Sequence, residues 1–185
     1  MRKLLYLFIV SAVFSACQKN ENIYIIKNKQ VGKLTDTTTI AGMKKLYQND
    51  SIVKNTKGQS AFEPYDEYVI YDKKSKKALL TVIPKIMNDE NSLIKRVEIN
   101  SPLFKTGKKV GLDSDFGSFK TNHKIGRIDE TFKYIVVFID DLNATIDMNK
   151  DVLPLNARND SSIKIDKTLI PDHSKIKHFV VFFNE

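Results

Sequence analysis

The chain has 185 residues, of which 42% are hydrophobic and 28% are charged, as in an ordinary globular protein. Its net charge of +8 is compatible with a nucleic-acid partner, but the lysines are scattered and mostly alternate with apolar residues, as on the solvent side of strands. We therefore predict no nucleic-acid binding. Tryptophan is absent, which disfavours a carbohydrate-binding surface built on stacked indole rings.

The N-terminal segment has the proportions of a signal peptide. Arg2 and Lys3 precede an apolar run, residues 4–14, that is shorter than the roughly 20 residues a membrane-spanning helix needs. A basic start, a short apolar run and small residues after it are typical of a segment that is removed on export. We therefore predict a signal peptide over residues 1–16.

The only cysteine of the chain follows this segment directly. The residues Phe14-Ser15-Ala16-Cys17 resemble the lipobox of bacterial lipoproteins, with Phe14 at a place where an aliphatic residue is usual. The resemblance implies a diacylglycerol on the Cys17 sulfur and an acyl chain such as palmitate on its amine. It also implies anchoring in the cell envelope, on the periplasmic face or the surface of a Gram-negative bacterium. The alternative is a free, buried cysteine in a short N-terminal helix.

The chain after Cys17 begins with a polar tether, residues 17–22, and then carries one predicted helix among strands. Ile40, Met43 and Leu46 lie on one helical face behind a threonine-rich cap region, residues 35–39. The strands predicted in this half are residues 23–26, 68–71, 78–83 and 93–99, with the lysine-rich residues 73–77 as a hairpin tip.

A second helix is predicted after the acidic cap region, residues 113–115, because Phe116 and Phe119 follow at helical spacing. The strands predicted in this second half are residues 131–139, 144–148 and 176–183.

The two halves show the same order of patterns. "TTIAGMKKLY" from Thr38 aligns with "SDFGSFKTNH" from Ser114, and "SLIKRVEI" from Ser92 aligns with "SKIKHFVV" from Ser174. The alignment predicts an α+β fold of two repeated units, residues 23–100 and 101–185, each a helix packed on an antiparallel sheet of about three strands. The alternative is that two common apolar patterns coincide by chance.

This order is similar to that of small periplasmic proteins of the BamE and beta-lactamase-inhibitor-protein type, which pack helices on an antiparallel sheet. The shared feature is a Val-Gly pair before each capped helix, Val31-Gly32 and Val110-Gly111. The segments "SPLFKTGKKVGLDS" and "LIPDHSKIKHFVVFF" also resemble uncharacterised lipoproteins of Bacteroidetes-type bacteria. The resemblance implies an architecture and transfers no functional residue.

The candidate chemical residues are few. His123 ends the second predicted helix, where an imidazolium suits the helix dipole, His173 lies in a Pro-Asp turn and His178 in a strand. His173 and His178 are five residues apart across a change from turn to strand, which is not the spacing of a zinc site. We therefore predict no catalytic histidine and no metal site.

Three weaker motifs also do not meet the requirements of a binding or catalytic site. Asp113 and Asp115 resemble the start of a calcium loop, but the twelfth position is Lys124 instead of glutamate. Residues 107–109 lack the spacing of a phosphate-binding loop. Two carboxylates that face each other across a cleft can hydrolyse a glycosidic bond, but paired acids are more common in turns at strand ends. The pairs are Asp140 with Asp141, and Glu63 with Asp66 and Glu67. No cofactor is predicted.

The sequence carries none of these chemical motifs, and it predicts a lipid anchor. Together these two points indicate a function. We predict a non-catalytic, lipid-anchored envelope module that binds another protein, with Cys17 as the lipidated residue. Two alternatives remain open. One is an immunity or inhibitor lipoprotein that neutralises a periplasmic toxin. The other is a cell-wall-acting enzyme, which a pocket holding His173 or His178 beside a carboxylate would favour.

Overall fold

A computed structural model describes residues 23–58, 63–159 and 163–184. The predicted signal peptide, the tether and Cys17 lie outside these residues. The largest unit of the described chain is one eight-stranded antiparallel sheet, in the spatial order β4-β5-β6-β7-β12-β11-β10-β9. Its strands are β4 (Ser51–Lys57), β5 (Tyr65–Tyr71), β6 (Ala78–Pro84), β7 (Ile94–Ile99), β9 (Ile125–Glu130), β10 (Tyr134–Ile139), β11 (Ala144–Asn149) and β12 (His178–Phe182).

A second, smaller sheet has four short strands in the order β3-β2-β1-β8. They are β1 (Ile25–Lys27), β2 (Gln30–Val31), β3 (Leu34–Thr35) and β8 (Lys105–Thr106). The helices are α1 (Ile40–Leu46), α2 (Phe116–Asn122) and α3 (Leu155–Asn159), with two short 3-10 helices at Asp140–Leu142 and Lys150–Val152.

The two predicted helices are present, and each begins at a side-chain cap. The Thr39 hydroxyl oxygen accepts a hydrogen bond from the Gly42 N–H at 3.1 Å, and an Asp115 carboxylate oxygen accepts one from the Ser118 N–H at 2.9 Å. Each cap satisfies a backbone donor that the first turn of a helix leaves free. The cap regions predicted from the sequence therefore do set where α1 and α2 begin.

The core lies against one face of the large sheet. Along β10, Ile135, Val137 and Ile139 are fully buried, while the alternate residues remain partly exposed. Because side chains of a strand point alternately to its two faces, this pattern gives the sheet an inner and an outer face at β10, whereas β6 is buried on both faces. Phe116 and Phe119 of α2 are also fully buried in the core.

The predicted fold class is wrong. The protein is mostly β, and it does not consist of two repeated units that each pack a helix on about three strands, because one continuous sheet of eight strands runs through it. Strand β12 pairs with β7, with Val181 opposite Val97, and this pairing joins the strands of both halves. The predictions also missed β4 and β9 as full strands, because exposed residues predominate in β4 and make up half of β9, and neither strand shows a clear alternation.

Candidate functional site

His123 is a structural residue. Its Nδ1 lies 2.9 Å from an Asp141 carboxylate oxygen, and its Nε2 lies 3.1 Å from the Thr106 hydroxyl. The three side chains have the order of nucleophile, base and orienting acid in a hydrolase, but Thr106 is only 3% exposed. Its hydroxyl also accepts the Val110 N–H at 3.3 Å. A buried hydroxyl cannot attack a substrate, so this cluster ties α2 to β8.

The predicted acidic pairs also have structural roles. Asp141 binds His123, while Asp140 lies 3.2 Å from the Lys124 ammonium. Asp66 is fully buried and pairs with Lys54. Asp115 caps α2. In the part of the chain that the structure describes, no three His, Cys, Asp or Glu side chains are placed to hold a metal ion together.

His178 lies on the outer face of the sheet between two carboxylates. Its Nδ1 is 2.7 Å from a Glu98 carboxylate oxygen on the neighbouring β7. On the other side, His178 stands opposite Asp147 of β11. The Tyr134 ring meets the imidazole edge-to-face, with 5.4 Å between ring centroids. These four side chains form the polar centre of this face.

Asp147 is the member of this group whose ionised form is disfavoured in the folded protein. One of its carboxylate oxygens is buried without a hydrogen-bond partner among the described residues. Burial raises the pKa of Asp147, the nearby Glu98 charge raises it further, and His178 opposes the shift. A carboxylate in such a place lowers the stability of the fold. A role in function would be a reason for the protein to keep it.

Apolar side chains surround the polar centre. They are Val136 and Phe138 on β10 and Val180 and Phe182 on β12, and all four are partly exposed. The Arg127 guanidinium lies 4.0 Å from the centroid of the Phe138 ring. We call this surface, from Glu98 across β12 and β11 to Phe138, the open face. Its mixture of half-exposed apolar groups and few charges resembles the surfaces that bind proteins.

The open face was not predictable as a site from the sequence. The sequence predicts that His178 lies in a strand, but Glu98 and Asp147 carry no local motif. They meet His178 only because β7 and β11 pair on either side of β12. His173 lies elsewhere, in an exposed turn that lines a groove also lined by Asp151.

Comparison with known proteins adds a fold relationship. No protein-family model and no curated protein matches the chain. The crystal structure of the uncharacterized protein yfeY from Escherichia coli is similar, with a TM-score of 0.55 and 9% sequence identity. The match covers 85% of this chain and 98% of that one. At this identity the similarity concerns the fold alone.

None of the helices in the described ranges combines the length and the apolar character needed to cross a bilayer.

Replacing Asp147 by asparagine is expected to stabilise the protein at neutral pH by about 1 kcal/mol, because it removes a disfavoured carboxylate while keeping the shape. Since the pKa of Asp147 is raised in the folded state, the wild-type carboxyl takes up a proton as the pH falls through that pKa, and the difference between the two proteins should shrink. Urea unfolding at several pH values measures this. Asp129→Asn, at an exposed ion pair, is the control and should change stability by under about 0.5 kcal/mol.

Proposed function

We propose that the protein is a non-catalytic, lipid-anchored protein of the cell envelope that binds another protein through the open face. The observation that supports binding is the partial exposure of Val136, Phe138, Val180 and Phe182 around a polar centre. A preformed sheet face offers a partner a large surface without an ordering cost. The anchoring part of the proposal rests on the sequence around Cys17 and its resemblance to a lipobox.

The immunity or inhibitor hypothesis uses the same surface and differs in the identity of the partner, which would be a toxin or an enzyme. A rigid, preformed face is compatible with such tight binding. The enzyme hypothesis has less support, because the groove that His173 shares with Asp151 leaves both side chains exposed. His178 does stand between Glu98 and Asp147, but on a sheet surface, whereas catalysis needs a cleft that excludes water and positions a substrate.

A new charge among the apolar side chains of the open face should prevent partner binding. Val180 lies opposite Glu98 on the neighbouring strand, so Val180→Lys places an ammonium beside a carboxylate and keeps the sheet intact. We expect a tagged V180K protein to recover at least tenfold less partner from gently detergent-solubilised envelopes than the wild type.

The matched control is Leu46→Lys, which introduces the same charge on α1 at a side chain that is 41% exposed. It should recover the partner at the wild-type level. Equal recovery by both variants, or no partner for the wild type under gentle conditions, would count against the open face as the binding surface.

A further inference from the structure

Strand β9 lies at one end of the eight-stranded sheet, where β10 is its only neighbour among the described strands. The Thr131 N–H donates to the Tyr134 carbonyl oxygen at 2.8 Å. Residues 131 and 134 are therefore the hydrogen-bonded pair that closes the turn between the two strands. Because the pairs of an antiparallel ladder alternate between hydrogen-bonded and non-hydrogen-bonded, this contact fixes the direction of the backbone groups that follow in β9.

The backbone groups of Ile128 and Glu130 point away from β10. Glu130 stands opposite Ile135, one position from the closing pair, and Ile128 stands opposite Val137, two positions further. Both are therefore non-hydrogen-bonded pairs, whose N–H and C=O groups are directed to the other side of the strand. The described residues supply no hydrogen-bond partner to these groups. The free edge of β9 thus offers two donors and two acceptors.

A groove of about 490 Å³ runs along this edge. It is lined by residues 125–129 of β9 and by residues 164–167. Ile128 is one of the lining residues, and its side chain is partly exposed. No residue of β9 is buried, so the edge is accessible to a ligand from solution. The volume of the groove is in the range of ligand-binding pockets.

One side of the groove is apolar. Ile125 and Ile128 are partly exposed and pack against the core, and Ile165 is a core residue that is 8% exposed. All three isoleucines line the groove. The side chains of an added strand would alternate between the two faces of the sheet, so apolar side chains at every second position would contact these isoleucines.

The charges of the groove favour an acidic ligand. Arg127 and Asp129 form an ion pair with each other at 3.0 Å. The Asp166 carboxylate accepts the N–H of the residue two positions later at 2.7 Å. Lys164 and Lys167 are exposed and form no ion pair with a described carboxylate. These two ammonium groups give the groove an excess of positive charge, which attracts an acidic ligand and repels a basic one.

A single extended chain fits this place better than a second copy of the protein. The edge of a second copy would bring its β10 behind its β9, beside residues 164–167 of the first copy. In a symmetric pair the same surface patch of both copies would meet, so Lys164 and Lys167 would approach the same lysines of the other copy. Like charges repel, whereas an acidic chain neutralises them.

We propose that this groove binds an extended acidic segment of another protein, which pairs with β9 as a ninth strand through the backbone groups of Ile128 and Glu130. Main-chain hydrogen bonds of this kind are a common means by which proteins bind peptides at a sheet edge. Acidic side chains of the segment lie near Lys164 and Lys167. The groove lies at the edge of the sheet, whereas the open face spans its middle, so the proposal does not depend on the function proposed for the open face.

The test is a titration of the isotope-labelled full chain, in detergent micelles, with the pentapeptide acetyl-EVEVE-amide, followed by NMR. We expect chemical-shift changes at residues 125–130 and 164–167. With the peptide at ten times its dissociation constant, hydrogen exchange of the Ile128 and Glu130 N–H groups should slow by about tenfold. Exchange of the Asp129 N–H, which faces β10, should not change. The basic peptide acetyl-KVKVK-amide should not bind.

A proline at position 128 tests the backbone contact. Ile128→Pro removes the N–H that faces the groove, and it breaks no hydrogen bond of the ladder, because proline is tolerated on an edge strand where the N–H faces outward. Ile128→Ala is the matched control, since it also loses the isoleucine side chain but keeps the N–H. Ile128→Pro should bind the acidic peptide about fivefold more weakly than Ile128→Ala.

Two double variants test the charge preference. Lys164→Glu with Lys167→Glu should weaken binding of the acidic peptide at least fivefold and allow the basic peptide to bind. The control is Lys73→Glu with Lys74→Glu, which makes the same change in net charge at exposed residues between β5 and β6. It should leave the dissociation constant of the acidic peptide within twofold.

Four results would overturn the proposal. They are unchanged exchange of the Ile128 and Glu130 N–H groups at millimolar peptide, equal binding of the acidic and the basic peptide, and equal binding by Ile128→Pro and Ile128→Ala. The fourth is slow exchange of these N–H groups without peptide in a dimer, which would show that a second copy occupies the edge.

Discussion

Replacing Asp66 by alanine is expected to lower the free energy of unfolding by about 3 kcal/mol. The Asp66 side chain is fully buried, and its Oδ2 lies 3.0 Å from the Lys54 ammonium and 2.7 Å from the Asn88 nitrogen. Its removal leaves the Asn88 N–H without an acceptor and the ammonium without a counter-ion. Lys54 stays partly hydrated, at 39% exposure, which keeps the cost at the lower end for a buried ion pair. Urea unfolding measures the difference.

The pH dependence of this effect has a definite sign. Burial by itself raises the pKa of Asp66, but the Asn88 N–H and the Lys54 ammonium outweigh burial, so the pKa is lowered overall. A carboxyl group with a lowered folded pKa contributes stability above its unfolded pKa and loses that contribution as the pH falls through the folded pKa. The difference in the free energy of unfolding between wild type and Asp66→Ala should therefore have its full value at pH 7 and decrease in acid.

Glu67→Ala is the control for the same strand. Glu67 lies on the opposite face, where its carboxylate is 4.0 Å from the Lys57 ammonium. A contact of that length at the surface contributes under about 1 kcal/mol. If Asp66→Ala costs no more than Glu67→Ala, the ion pair between Lys54 of β4 and Asp66 of β5 does not stabilise the fold.

Replacing Cys17 by serine is expected to move the protein from the membrane to the soluble fraction almost completely. Each buried methylene of an acyl chain contributes about 0.8 kcal/mol, and two or more chains anchor a protein firmly. Serine cannot form the thioether, so no diacylglycerol is attached. The variant carries in place of residues 1–16 a secretory signal peptide that is removed without lipidation, so that no uncleaved apolar segment holds it in the membrane. Fractionation of cells that express either form measures the change.

The folded part of the protein should be the same in both fractions. The control is therefore the urea midpoint of the soluble Cys17→Ser protein, which should match that of the wild type in detergent, because the substitution lies before the described residues. Retention of Cys17→Ser in the membrane pellet would contradict lipid attachment at this residue.

Local features of the fold were predictable from the sequence. The helical spacing of Ile40 and Met43, and of Phe116 and Phe119, placed both main helices, and all four side chains are fully buried. The lysine-rich residues 73–77 were expected at a hairpin tip, and they do lie between the antiparallel strands β5 and β6. Each of these features depends on neighbours within a few positions along the chain.

The arrangement of the strands was not predictable, because it depends on residues far apart. Nothing near Val97 indicates that Val181, more than eighty positions later, lies opposite it. The same pairing brings Glu98 to His178, so the polar centre of the open face was hidden for the same reason. The edge strand β4 was missed because an edge strand with mostly exposed residues shows no strict alternation of apolar and polar groups.

The open face as a protein-binding surface is tested most directly by photo-crosslinking in intact cells. A benzophenone side chain placed at Val136 or Val180 should crosslink to one discrete protein of the envelope. The same probe at Leu46 or Leu103, which are exposed elsewhere on the molecule, should not crosslink to that protein. Crosslinks of equal strength from all four positions, or none from Val136 and Val180, would contradict the account.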